Sequence, residues 1–298
     1  MTASVAKRLA TAALWAFALP LFAQTDISKT IPADAKIVLR MDVAGMRLSE
    51  LGADLLTLHD ARLREIKLFA TQYAGLDLDL IGRAWVLSAK PDTGVVVFEG
   101  SFDAAQVRAK FGLLPNVTEL KRDGCAYVAR FKDDKKDRMQ LGAIIDGHTL
   151  ALGDEPSMEH YLEACAGKTP TVPADNAQLQ KLIADKHQFI GTILGGPANW
   201  PDFDRNLAGF VKELWLTGDL TADATLQLAV TADTVEHAEG MELVLRGLQP
   251  LASDHPNVQA KPIVADAIKA AKVSRQERTV TVATTVPGVQ VQAAASHL

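Results

Sequence analysis

The chain has 298 residues, 48% hydrophobic and 22% charged, with a formal net charge of −5. This composition excludes a disordered or collagen-like chain, and the acidic balance argues against nucleic-acid binding through a basic surface. Two cysteines exclude a disulfide-dense scaffold and a Cys-rich zinc module.

Residues 1–23 read as a secretory signal. Lys7 and Arg8 form the positive segment, and Leu9 to Phe22 is an apolar run of about 14 residues, short of the roughly 20 that span a bilayer. Cleavage is expected after Ala23, with Ala18 as a second site and an uncleaved anchor as the alternative. Removing Lys7 and Arg8 takes the net charge to −7, and no later run has spanning length. The expected location is periplasmic or secreted, with no membrane span once the signal is gone.

Residues 24–166 are expected to form a first α+β unit. Lys36 to Val43 reads as a strand. Met46 to Tyr73 reads as a helix, with Leu48, Leu51, Leu55, Leu56, Leu63, Ile66 and Phe69 on one face. Ala84 to Leu87, holding Trp85, and Val95 to Phe98 read as a hairpin. Asp103 should cap the following helix, with Gln106 as its capping-box partner. Val117 to Leu120, Cys125 to Phe131, Met139 to Ile145 and Thr149 to Leu152 read as strands. Asp146-Gly147 is a two-residue turn signal that tolerates positive φ. Asp154-Glu155-Pro156 opens a helix carrying Cys165.

Residues 167–175 read as a polar linker restricted by Pro170 and Pro173. Residues 176–298 are expected to form a second, related unit. Asn176 to Ala184 reads as a helix, His187 to Leu194 as a strand, and Pro201 to Val211 as partly helical. Trp215 follows Trp85 by 130 residues, and Asp233 follows Asp103 by the same offset, with Glu236 in the place of Gln106. The helix from Asp233 sets Ala238, Met241, Leu245, Leu248 and Ala252 at helical spacing. Pro262 to Ala271 reads as a helix, Val280 to Val286 as a strand, and the tail from Pro287 as weakly structured. The expected architecture is α+β, two related units, each a mainly antiparallel sheet with helices packed on one face.

Four fragments carry a resemblance. They are Gly75-Leu76-Asp77-Leu78-Asp79-Leu80, Phe98-Glu99-Gly100-Ser101-Phe102-Asp103, Asp123-Gly124-Cys125-Ala126-Tyr127 and Ile145 to Asp154. Over roughly residues 31–166, their order resembles a group of exported bacterial proteins of unknown function, common in acidobacteria and their relatives. The resemblance implies a bacterial, exported, duplicated α+β protein, and brings no activity or catalytic residues.

The candidate chemistry is sparse. Asp77 and Asp79 alternate with leucines as a carboxylate pair, or lie in a solvated turn. Glu236-His237-Ala238-Glu239 lacks the second His of a zinc helix. Ser101 lacks a nucleophile elbow, and Gly195-Gly196 reads as a turn. His160 and Cys165 share a helix, five residues apart. Cys125 and Cys165 are disulfide candidates in an oxidising compartment, or two buried thiols. Trp200 and Phe203, flanking Pro201, are the candidate binding anchors. No catalytic set, metal set or cofactor is expected. The expected function is an exported, non-catalytic envelope protein binding a protein partner or a small hydrophobic ligand. The alternatives are an extracytoplasmic hydrolase and a hydrophobic-ligand carrier.

Overall fold

The computed structural model describes residues 26–58, 78–90, 93–111, 116–133, 138–196, 209–259 and 261–295. Its frame is one twelve-stranded sheet in the order β11-β12-β10-β9-β8-β1-β2-β3-β7-β6-β5-β4, and every pairing between named strands is antiparallel. The strands are β1 Ile37–Asp42, β2 Arg83–Ser88, β3 Val95–Glu99, β4 Thr118–Leu120, β5 Tyr127–Asp133, β6 Arg138–Ile144, β7 Thr149–Asp154, β8 Phe189–Ile193, β9 Val211–Leu220, β10 Ala224–Ala232, β11 Lys272–Gln276 and β12 Thr279–Val286. The α+β class expected from the sequence is the class observed.

The two halves meet at the β1–β8 pair, where Arg40 stands opposite Ile190. Outward from that pair, one side runs β1-β2-β3-β7-β6-β5-β4 and the other β8-β9-β10-β12-β11. Each side lays down a strand and a hairpin, then places its last hairpin beyond them in reversed order, and the first side alone adds β5 and β4 outside it. The sheet is continuous across the junction.

Nine helices lie among the described residues: α1 Val43–Leu48, α2 Glu50–Leu58, α3 Ala104–Phe111, α4 Glu155–Cys165, α5 Ala177–Ala184, α6 Val235–Asp254, α7 Pro256–Gln259, α8 Pro262–Ala270 and α9 Gly288–Ala295. They cover both faces of the sheet, unlike the one-faced packing expected. On the first face, Met158, Tyr161 and Leu162 of α4 and Leu179 and Leu182 of α5 join Val38, Trp85, Val97, Leu141, Ile190 and Trp215 in the main core. On the second face, α3 buries Val107 against Tyr127, Ala129 and Ile144, and α6 packs Ala238 and Met241 near Val280. Strand alternation makes this workable, since odd and even residues of one strand serve different layers.

Several local expectations need correction. The long helix from Met46 is interrupted at Ser49, whose extended backbone (ψ 149°) separates α1 from α2, and residues 59–77 lie outside the described residues. Asp103 caps α3, accepting from the backbone N–H groups of Ala105 and Gln106. In the second half the cap is one residue later. Thr234 accepts from His237 N–H, while Asp233 holds the His237 ring at 2.6 Å. Neither Asp146 nor Gly147 takes a positive φ, and the turn is held by Asp146 accepting from His148 N–H. Cys125 precedes β5 rather than lying in it. The strand β11 was not expected, nor was α9 in the tail. Residues 167–175 are packed down: Val172 is in the main core and its N–H bonds Ile31 O.

Candidate binding surfaces

Trp200 and Phe203 fall outside the described residues, as does Asp77. Asp79 lies exposed in a 3-10 turn, Leu78–Leu80. Among the described residues, no group of three His, Cys, Asp or Glu could hold a metal ion. Gly195 and Gly196 take φ 71° and 86°, the turn expected of them. His148 belongs to its hairpin, with Nδ1 3.0 Å from Gly100 O. Cys125 and Cys165 are both thiols in this structure, half-buried against the main core. Burial pushes the Cys165 thiol up to about 11, aided by nearby Cys125.

A hydrolytic reading requires a nucleophile, base and acid within reach. The nearest arrangement is a small hollow holding Ser157, His160 and Asp34. His160 Nε2 sits 2.8 Å from Asp34 Oδ1, but its Nδ1 faces Glu163 at 4.0 Å rather than Ser157. Both ring nitrogens therefore point at carboxylates, and the relay to a hydroxyl is not formed.

Two other features stand out. The first is a polar row on the first face of the sheet, in which Glu99 and Thr149 are buried and Arg83 is exposed. Asp42, Arg83 and Glu99 stand opposite one another on β1, β2 and β3, and Thr149 follows on β7. Arg83 lies 3.6 Å from Glu99 at the rim of an open hollow of about 350 Å³. Burial raises the Glu99 carboxyl above its usual range, and Arg83 opposes that shift without cancelling it. The Trp85 indole N–H bears on this carboxyl but closes no hydrogen bond of normal geometry, and Thr149 Oγ1 is also buried without a partner. Arg40, opposite Trp85, donates to the carbonyls of Ile183, Asp185 and His187.

The second feature is the outer side of α6. Its inner side faces β10 and β12 through Ala238, Met241 and Leu245. Arg275 on β11 donates to Glu239 and Glu242, and Gln249 Nε2 donates to the Ile268 and Ala271 carbonyls at the end of α8. These bonds fix which side of α6 meets the sheet. They leave Leu243 72%, Val244 58%, Leu248 51% and Leu251 69% exposed. Val244, Leu248 and Leu251 follow one another in steps of four and three, which place side chains on one stripe, and Leu243 flanks it. Gly240 and Gly247 border it, with open space where their side chains would stand. Leu248 and Ala252, expected to face inward, are exposed instead. The readable signal was the excess of apolar residues between Met241 and Leu251, more than one buried face needs.

No family model and no curated protein matches the chain. Among solved structures, it is similar to "Structure of crystal form IV of TP0453", at 12% identity and a TM-score of 0.50, covering 90% of this chain and 96% of that one. A second crystal form of TP0453, form I, aligns at 12% identity and a TM-score of 0.49 over 92% and 98% of the two chains. At this identity the first likeness concerns the fold alone.

Proposed function

We propose that this is an exported, non-catalytic protein of the bacterial envelope that binds a protein partner through the outer side of α6. The observation that carries the reading is the stripe Leu243, Val244, Leu248 and Leu251, left bare on a helix whose other side is already bonded to the sheet. Contiguous exposed apolar surface is costly in water and marks interaction sites. Export rests on the signal-like residues 1–23. The shared order of the five strands nearest the junction on each side supports an origin of the two halves in one repeated unit, with β4 and β5 added to the first. Among the described residues, no helix is long and apolar enough to cross a membrane.

A partner is favoured over a carried hydrophobic ligand because the space between the sheet and α4 and α5 is filled by Met158, Tyr161, Leu162, Leu179 and Leu182. The test is native mass spectrometry on mature protein purified gently from its own envelope, beside a Leu248→Asp, Leu251→Asp variant. A stoichiometric protein partner, lost in the variant, is the expected result. A bare monomer in both samples, or a partner retained by the variant, overturns the reading. A small-molecule mass of a few hundred daltons in both would instead favour the hollow beside Glu99.

A further inference from the structure

The turn before β5 and the end of α4 are built to meet. Gly124 takes φ 75° in the turn closed by Cys125 N–H on Arg122 O. A side chain in place of that glycine would strain the left-handed backbone. At the other side, Gly167 takes φ 69°, Gly167 N–H bonds Ala164 O, and Lys168 N–H bonds Glu163 O. That pair of bonds is the Schellman ending of a helix, and it swings Lys168 back beside α4.

Two ion pairs then join the segments. Arg122 grips Glu159 with two hydrogen bonds, Nε to Oε2 at 3.0 Å and Nη2 to Oε1. Lys168 Nζ sits 2.9 Å from Asp123 Oδ2. Cys125 follows Arg122 and Asp123 in the turn, and Cys165 lies between Glu159 and Lys168. Both thiols pack against the same buried cluster. A planar guanidinium held at two points fixes orientation as well as distance.

We propose that Cys125 and Cys165 form an intramolecular disulfide that locks the β4–β5 turn onto the end of α4. The proposal rests on the exported reading for the oxidising surroundings it needs. The oxidant is a disulfide of the surroundings. A Cys125 thiolate attacks one of its sulfurs, expelling a thiolate and forming a mixed disulfide. The Cys165 thiolate then attacks Cys125 Sγ and expels the second thiolate. The two cysteines lose two electrons and two protons, and the oxidant becomes two thiols. Burial pushes up both cysteine thiols, Cys165 to about 11, so both attacks quicken as pH rises.

The test uses the full mature chain, reduced and then equilibrated with mixtures of oxidised and reduced glutathione, followed by non-reducing peptide mapping. A peptide pair joined through Cys125 and Cys165 is expected, with a mass loss of about two hydrogens for the one bond formed. The urea midpoint of the joined form should also lie above that of the reduced form. Glutathione adducts on one or both cysteines with no joined pair would overturn the proposal. Acid-quenched alkylation of the protein in its own cells tests the compartment separately. Thiols found free there, with the joined pair formed readily in glutathione, would overturn the exported reading and leave the disulfide geometry standing.

Discussion

Trp85 on β2 and Trp215 on β9 lie on the same face of one sheet, each one strand outward from the β1–β8 pair and each 3% exposed. Both belong to a single core cluster. Their surroundings differ. The Trp85 indole N–H bears on buried Glu99, whereas Trp215 donates to Glu213 at 3.1 Å and carries Lys181 Nζ 4.0 Å above its ring. Trp85 thus faces a desolvated acid, and Trp215 lies between an acid and a cation.

Glu99 should therefore cost stability when ionised. Its native pKa is raised by burial, so the fold favours the protonated form. Stability linked to this group is complete below the unfolded pKa and is lost as pH rises through the native one. Glu99→Gln should raise the unfolding midpoint at pH 7 and leave it unchanged near pH 3.5, measured by thermal unfolding at both pH values. A lower midpoint at pH 7 would mean that the Arg83 pair outweighs desolvation.

Arg40 joins the two halves. It stands on β1 and satisfies three carbonyls, that of Ile183 in the last turn of α5 and those of Asp185 and His187 before β8. Arg40→Ala should cost about 2 kcal/mol, since it leaves those part-buried acceptors without the guanidinium and removes a buried side chain. Urea denaturation gives the number. A loss below about 1 kcal/mol would mean that water replaces the guanidinium readily.

The cap of α6 distinguishes two adjacent residues. Thr234→Ala removes the hydroxyl bonded to His237 N–H and should cost about 1 kcal/mol. Asp233→Ala should cost less, because its main contact is an exposed one with the His237 ring. Equilibrium unfolding of both variants checks the order, and the reverse ranking would place the helix start at Asp233.

Alkaline pH should weaken the reduced protein. A thiol raised to about 11 when folded favours folding below its unfolded value of about 8.5, and that contribution is lost between the two. Over this window the loss approaches about 3 kcal/mol by linkage. Comparing the urea midpoints of wild type and Cys165→Ala at pH 8 and pH 10 isolates it. A slope that survives the substitution would assign the effect elsewhere, with buried Tyr161 next in line.

Much of the fold was legible because local chemistry agreed with it. The β-branched run Val95-Val96-Val97 forms β3, and Asp154 caps α4 with Pro156 in its first turn, as Asp-Glu-Pro suggests. What escaped had weak local signals. The β11–β12 hairpin turns at Glu277, which takes φ 50° without a glycine or asparagine to announce it. α9 starts at Gly288, a poor helix former, and is held by Asp223 accepting from its N–H. Asp233 and Thr234 are both good caps, and backbone geometry chose between them. The row of Asp42, Arg83, Glu99 and Thr149 was not readable, because strands far apart in sequence bring it together. The bare stripe on α6 was half-readable. Its residues have helical spacing, but only the bonds from Arg275 and Gln249 decide which side faces out.

The most direct test of partner binding places a photo-crosslinking residue at position 248 of the full chain, expressed in its own host. A control places it at Thr285, an exposed position on the opposite face of the sheet. One discrete protein adduct from position 248, absent from position 285 and suppressed by Leu251→Asp, is predicted. Equal labelling from both positions, or none from position 248, would contradict a partner-binding role for α6.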